Sequence, residues 1–223
     1  MNPLFVVLEG PDASGKSTQL RLLSQELSRR GISHLTTREP GGTPLGQELR
    51  RILLDPACAG MDPRAELLLY LADRVEHVQR VIRPALARGQ VVICDRYVDA
   101  TLAYQGAARG VDADLIERLH ALVLGDWRPG LTVLIDIPVA VGLDRAWRAV
   151  DRGERSPAET RFEKENRDFH QRVRQGYLEL AAREPARFCI IDGNRAPGEV
   201  ARDLQAAIAD RLHLPLPDRG GNG

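Results

Sequence analysis

The sequence carries no excess of charge of either sign. Lys plus Arg number 31, Asp plus Glu number 31, and the formal net charge is zero. Binders of nucleic acid or of anionic membranes usually show a basic surplus, so neither partner is expected. Any phosphate recognition must come from local clusters. Cysteine is scarce: Cys58, Cys94 and Cys189 lie far apart, with no C-x-x-C pair. That excludes a disulfide framework and a zinc-site spacing, and fits a reducing cytosol. Cys94 and Cys189 sit in apolar runs and read as core fillers. No apolar stretch reaches the roughly 18 residues that suggest a membrane span. Met1–Leu8 is short and has no charged leader, so no secretory signal is expected. Internal repeats and interdomain linkers are missing too. So is the N-K-x-D or T-K-x-D element with which GTPases read guanine.

What is present suits one domain: 223 residues, 43% hydrophobic and 28% charged. Four apolar runs, Leu4–Leu8, Val91–Cys94, Leu131–Ile137 and Phe188–Ile191, do not alternate with polar residues. They predict strands buried on both faces of a parallel sheet, and the weaker run Ile32–Thr37 a fifth. Helical patterns fall between them. Leu20, Leu23 and Leu27 share a face that Gly31 ends. Leu67, Leu71, Val75, Val78 and Ile82 form a stripe that runs to Pro84. Further helices are predicted over Asp112–Leu124, Val139–Ala149, Arg161–Arg183 and Pro197–Leu212. The alternation implies an α/β fold, with ligands bound beyond the carboxyl ends of the strands. Asp151–Glu159, broken by Gly153 and Pro157, reads as a mobile loop. Leu214–Gly223, with two prolines and three glycines, is expected to fray, leaving a domain of about residues 1–213.

The segment Gly10, Pro11, Asp12, Ala13, Ser14, Gly15, Lys16, Ser17, Thr18 fits G-x-x-x-x-G-K-[ST], with a predicted strand before it and an amphipathic helix after it. Glycines let backbone N–H groups turn inward around phosphates, and the helix N-terminus adds positive potential. Lys16 is placed to reach the β- and γ-phosphates of ATP, and the Ser17 hydroxyl to coordinate Mg²⁺. The loop alone does not say what becomes of the phosphate.

Arginines point to an acceptor that is itself phosphorylated. Arg38 lies in the turn-forming run TREPGGT, Arg74 four residues after Tyr70, and Arg96 at a strand end after Asp95. Guanidinium forks match phosphate oxygens in a two-pronged way that lysine does not. Any one of these arginines taken alone reads as a surface ion pair. Three at strand-end or site-facing positions favour a phosphate pocket.

The runs LEGPDASGKSTQ, TREPGGTPLGQELR, LLLYLADRVEHV and DRYVDATLAYQGAARG, with TRFEKENRDFHQRVRQGYLELA after them, span most of the chain from about Phe5 to Asp192. In order and spacing the chain resembles the thymidylate kinases. The resemblance implies a P-loop fold: a parallel five-stranded sheet flanked by helices, with a mobile lid at about 145–160. It also implies transfer of phosphate from Mg·ATP to dTMP, and a homodimer. By the same resemblance Asp12 approaches the acceptor 3′-hydroxyl, and Arg38, Arg74 and Arg96 hold the dTMP phosphate or base. Tyr70 stacks on thymine, Thr101 and Gln105 bond its edge, and Tyr104 lies beneath the sugar. Asp95 sits near the Mg²⁺ site.

Some thymidylate kinases carry a basic residue directly after the loop aspartate. Here that position is Ala13, while Arg145, Arg148, Arg152 and Arg155 crowd the lid region. Phosphoryl transfer needs positive charge near the breaking bond. A lid arginine is therefore expected in the transition state, with Arg152 and Arg155 leading and Arg148 behind them. Two other readings stay open at this point: a kinase for another nucleoside monophosphate, and a regulatory protein that binds ATP without transferring phosphate.

Overall fold

The central strands are built from β-branched and aliphatic residues with almost no polar interruption. The computed structural model describes residues 4–125, 127–154 and 156–212. Arg155 and the tail at 214–223 lie outside the described residues. In chain order the elements are β1 (Phe5–Glu9), α1 (Lys16–Arg29), β2 (His34–Arg38), α2 (Pro44–Leu54), α3 (Pro63–His77) and α4 (Arg83–Ala87). There follow β3 (Val91–Asp95), α5 (Val98–Thr101), α6 (Ala113–Leu124), β4 (Leu131–Asp136) and α7 (Val139–Asp151). The series ends with α8 (Arg167–Arg183), β5 (Phe188–Asp192) and α9 (Pro197–Leu212). Two π-helical stretches, Val78–Ile82 and Leu102–Ala108, continue α3 and α5.

The sheet has the order β2-β3-β1-β4-β5, and every pair is parallel. Leu8 is paired with Asp95, Arg38 with Asp95, and Glu9 with Leu134. The carboxyl ends of β1, β2 and β3 therefore lie side by side. Alternate residues of β1 serve opposite faces. Val6 and Leu8 join Leu23, Leu27, Val200, Leu204 and Ile208 under α1 and α9. Phe5 and Val7 join Val78, Ile82, Ala85 and Tyr97 on the other side. A third cluster, around Tyr104, Phe162, Phe169 and Tyr177, packs α8 against the Leu102–Ala108 stretch. Each fully buried aliphatic or aromatic side chain contributes about 1.5–3 kcal/mol.

Several sequence expectations need correction. The weaker run at Ile32–Thr37 does supply the fifth strand, β2, largely half-exposed on one edge, whereas the run at Phe188–Ile191 is the other edge strand, not one buried on both faces, with Ile190 52% exposed. Cys189, expected in the core, is half-buried on that edge, whereas Cys94 is fully buried. Pro84 does not end its helix. The wide turn at Val78–Ile82 leads into α4, where Pro84 occupies a first-turn position that needs no N–H donor. The helix expected from Arg161 begins at Arg167, capped by Asn166, whose side chain accepts from Phe169 N at 2.9 Å. Arg161 and Phe162 are instead drawn into the interior. The Asp151–Glu159 segment is not all loop: α7 reaches Asp151, and Pro157–Glu159 form a 3-10 turn. Helix α2, opened by Thr43 whose hydroxyl accepts from Gly46 N, was not expected from the sequence.

Candidate active site

The loop after β1 turns through three left-handed residues, Gly10 (φ 143°), Ala13 (φ 56°) and Gly15 (φ 101°). At Gly10 only glycine fits, because a Cβ there would meet the Ile135 carbonyl oxygen at 2.3 Å. Gly15 opens α1, so the first N–H groups of the helix face the loop. The buried Lys16 ammonium curls over it, donating to the carbonyls of Gly10 (3.0 Å) and Pro11 (2.9 Å) and to Ser14 Oγ (3.4 Å). Burial, reinforced by the Arg96 charge, pulls its pKa down to about 8.

Around the loop opens a cleft of about 680 Å³. Asp12 through Gln19 form its floor, and Arg38, Asp95, Arg96, Arg145, Arg152 and Arg195 stand around it. Next to it is a tighter pocket of about 70 Å³, lined by Tyr70, Arg74, Thr101, Tyr104, Gln105 and Phe162. Asp12, Glu39, Arg50 and Arg96 line both.

Arg96 holds the junction. It has φ 72°, a left-handed value that costs a non-glycine residue about 1 kcal/mol or more. From that position its guanidinium donates to Asp12 Oδ1 (2.8 Å), Tyr104 OH (3.0 Å) and Tyr177 OH (2.9 Å). Tyr104 donates to the other Asp12 oxygen at 2.9 Å, and Tyr177 donates to Glu9 Oε2 at 2.7 Å. Glu9, at the end of β1, also accepts from the backbone N–H groups of Tyr97 and Ala100. Burial drives the Glu9 carboxyl up to about 7, against the opposing charge of Arg96.

Arg74 is anchored on three sides. Its Nε donates to Glu39 Oε2 at 2.8 Å, and one terminal nitrogen donates to Tyr97 O (3.1 Å) and Thr101 Oγ1 (2.8 Å). The second terminal nitrogen remains for the pocket. Thr101, having accepted from Arg74, retains its own O–H to donate. Glu39 Oε1 also accepts from His77 Nδ1 at 3.0 Å. Nearby, Asp73 accepts from Gly41 N, and burial raises its carboxyl to about 6.

Most residues singled out in the sequence meet here. Lys16, Ser17, Thr18, Asp95 and Arg38 line the cleft, while Tyr70, Arg74, Thr101, Tyr104 and Gln105 line the small pocket. Arg38 is exposed and borders the cleft around the loop, not the smaller pocket. Arg152 reaches the cleft with its guanidinium paired to Glu154 at 2.8 Å. Arg148 does not reach it; it is exposed, pairs with Asp144, and lies on an outer groove. Glu9, Glu39, Arg50, Glu66, Arg161 and Tyr177 escaped the sequence reading. Only Glu66 carried a local signal, since it precedes Tyr70 and Arg74 at the four-residue spacing of one helix face.

A phosphate loop at the end of a central parallel strand, joined through a charged hinge to a second pocket with a buried arginine, defines a class: the P-loop nucleoside monophosphate kinases. Residues 8–204 match the family model described as Thymidylate kinase. Relatives bearing the name thymidylate kinase come from Desulfosudis oleivorans (48% identity over 92% of this chain and 96% of the relative) and Solidesulfovibrio magneticus (51%, over 94% and 100%). Another comes from Geobacter sulfurreducens (48%, over 96% and 99%). The chain belongs to the thymidylate kinase family.

Proposed function

We propose that this chain transfers the γ-phosphoryl group of ATP to the 5′-phosphate of dTMP, giving dTDP and ADP. The observation that carries the reading is the shared wall of the two pockets. Asp12 and Arg96 line both, so donor and acceptor phosphates would meet across them. The name carried by the relatives supports dTMP as the acceptor.

The acceptor atom is a phosphate oxygen, already anionic near neutral pH. No strong general base is needed, and catalysis is positioning plus charge neutralisation. An acceptor oxygen forms its bond to the γ-phosphorus as the bond to the β,γ-bridging oxygen breaks, and ADP leaves with that electron pair. Lys16 would exchange its loop carbonyls for β- and γ-oxygens. Arg96 and Arg38 would hold the acceptor phosphate, and Asp12 would accept from the 3′-hydroxyl. Tyr104 would floor the sugar. Tyr70 would stack on the base while Arg74, Thr101 and Gln105 read its edge.

The residues fit a Mg²⁺ ion arriving with the nucleotide. Asp95 Oδ1 is buried without a hydrogen-bond partner at the cleft that Ser17 also lines. Among the described residues no cluster of three or more His, Cys, Asp or Glu forms a metal cage. That suits an ion held largely by phosphates and water, which would neutralise charge on the β- and γ-oxygens. Segment 145–160 would act as the lid, with Arg152 or Arg155 swinging to the bridging oxygen and water excluded on closure. A cytosolic homodimer completes the reading. Among the described residues no helix is long and apolar enough to cross a membrane. Leu68 on α3 and Leu122 on α6, 55% and 80% exposed, are apolar surface that a second copy would cover.

The test is γ-labelled ATP with dTMP. Label should pass to dTDP, with little reaching free phosphate. Label that stays on ATP, or enters free phosphate whether or not dTMP is present, would favour an ATP-binding regulator.

A further inference from the structure

We infer that Glu66 sets the hydrogen-bond polarity of the acceptor pocket by fixing the direction of the Gln105 amide. This goes beyond the family reading but rests on the acceptor site proposed above.

Glu66, Tyr70 and Arg74 follow one another at four-residue spacing on α3, so they share a face. Tyr70 and Arg74 line the small pocket, and Glu66 lies one turn deeper, completely buried. Its Oε1 accepts from Gln105 Nε2 at 2.6 Å. Its Oε2 is bound by the guanidinium of Arg161, a fully buried residue that also donates to the Leu53 carbonyl at 3.0 Å. Arg109 Nε stands 3.6 Å from Oε1. A carboxylate held between two guanidiniums offers lone pairs and no proton. Gln105 must therefore turn its NH₂ toward Glu66. That commits the amide, which is 1% exposed in the π-helical stretch Leu102–Ala108, to a single orientation.

The consequence is chemical. With its NH₂ end turned to Glu66, Gln105 presents its opposite end, the carbonyl oxygen, to the pocket as an acceptor. Arg74, tied to Glu39, Tyr97 and Thr101, offers an N–H donor. Acceptor beside donor complements a ring N–H beside a carbonyl, the keto-imide edge of thymine or uracil. Cytosine presents a bare ring nitrogen beside an amino group, so it would set lone pair against lone pair and N–H against N–H. Leaving buried polar groups unpaired in this way is what lets a hydrogen-bonding site reject a near-isostere strongly. Glu66 touches no substrate in this account; it is a positioning residue that acts through Gln105.

Glu66→Gln is nearly isosteric and can donate to Gln105, which frees the amide to reverse. It also leaves Arg161 buried without its counter-charge. The double substitution Glu66→Gln/Arg161→Gln removes that imbalance. For each folded variant, kcat/KM is measured with dTMP and with dCMP, and binding of a non-hydrolysable ATP analogue serves as a fold control. The dTMP-over-dCMP ratio is expected to fall by about tenfold or more, chiefly through KM for dTMP, with analogue binding unchanged. A ratio within twofold of wild type, or equal losses for both acceptors, would overturn the role of Glu66. A wild-type enzyme that phosphorylates neither would instead sink the acceptor reading. In the acceptor-free protein the Gln105 Nε2 protons should exchange slowly with solvent, with the one bonded to Glu66 shifted downfield in the NMR spectrum, whereas fast-exchanging protons at ordinary amide shifts would refute a pinned amide.

Discussion

Lys16 is the residue at which burial and function pull in opposite directions. Burial brings its pKa down to about 8, below the ordinary 10.5. Phosphate oxygens would push it back up, so nucleotide binding above pH 8 must take up a proton. Affinity for an ATP analogue should therefore hold steady below pH 8 and fall above it, by up to about tenfold per unit. Titration calorimetry between pH 7 and 9.5 checks this, and Lys16→Ala should flatten the profile and cut turnover by orders of magnitude. Glu9 is the opposite case. Its carboxyl is raised from 4.5 to about 7, so the folded state holds an extra proton between those values. Its contribution to stability is complete below pH 4.5 and is lost as pH rises through 7, a swing on the order of 3 kcal/mol. Glu9→Gln should lose that swing in denaturant titrations at pH 5 and pH 8. A smaller fall from Asp73, raised from 3.8 to about 6, should persist. The loop residues and Arg96 were readable from the sequence because motif and strand end coincide there. Glu9 and Tyr177 were not, since their bond joins positions 168 residues apart. Gln105 was singled out, but its bond to Glu66 was hidden in the same way, since it spans 39 residues.

Helix α3 is the element that carries Glu66, Tyr70 and Arg74 to the pocket, and its start is set by Asp62, whose carboxylate accepts from Arg64 N (2.8 Å) and Ala65 N (3.4 Å). Asp62→Ala should cost about 1 kcal/mol in urea denaturation. The apolar stripe Leu67 to Ile82 was legible because its 3.6-residue period is strong. Its continuation past Pro84 was not, since a π-turn leaves no signature in residue types. The start of α8 was misplaced for a tertiary reason: Arg161 is pulled to Glu66 and Leu53, and the chain becomes helical only after Asn166. The lid is the element whose chemistry is tested most simply by substitution. Arg152→Ala and Arg155→Ala, made singly, should include one variant with kcat lowered by about 10³-fold and little change in KM for dTMP. Full activity in both would contradict the lid assignment.

Across the whole molecule, parallel strands deliver Glu9, Arg38, Asp95 and Arg96 to one rim, with the phosphate loop between them. The strand-helix alternation made the α/β class legible. Strand order was not legible, because it depends on which runs end at edges, and the Phe188–Ile191 run looked as apolar as the central ones. Net charge says nothing of the cationic site, since the chain sums to zero while arginines concentrate around one cleft; the strand-end and turn positions of Arg38 and Arg96 are what made it legible. On the proposed function, this cleft and the small pocket beside it form one kinase site for a keto-imide deoxynucleotide. ADP release by the purified protein with Mg·ATP and, in turn, dTMP, dUMP, dCMP, AMP and GMP decides it. Acceptor-stimulated turnover should be greatest with dTMP and very weak with dCMP and the purine monophosphates. Equal turnover with dCMP or a purine, or no stimulation by any acceptor, would contradict it.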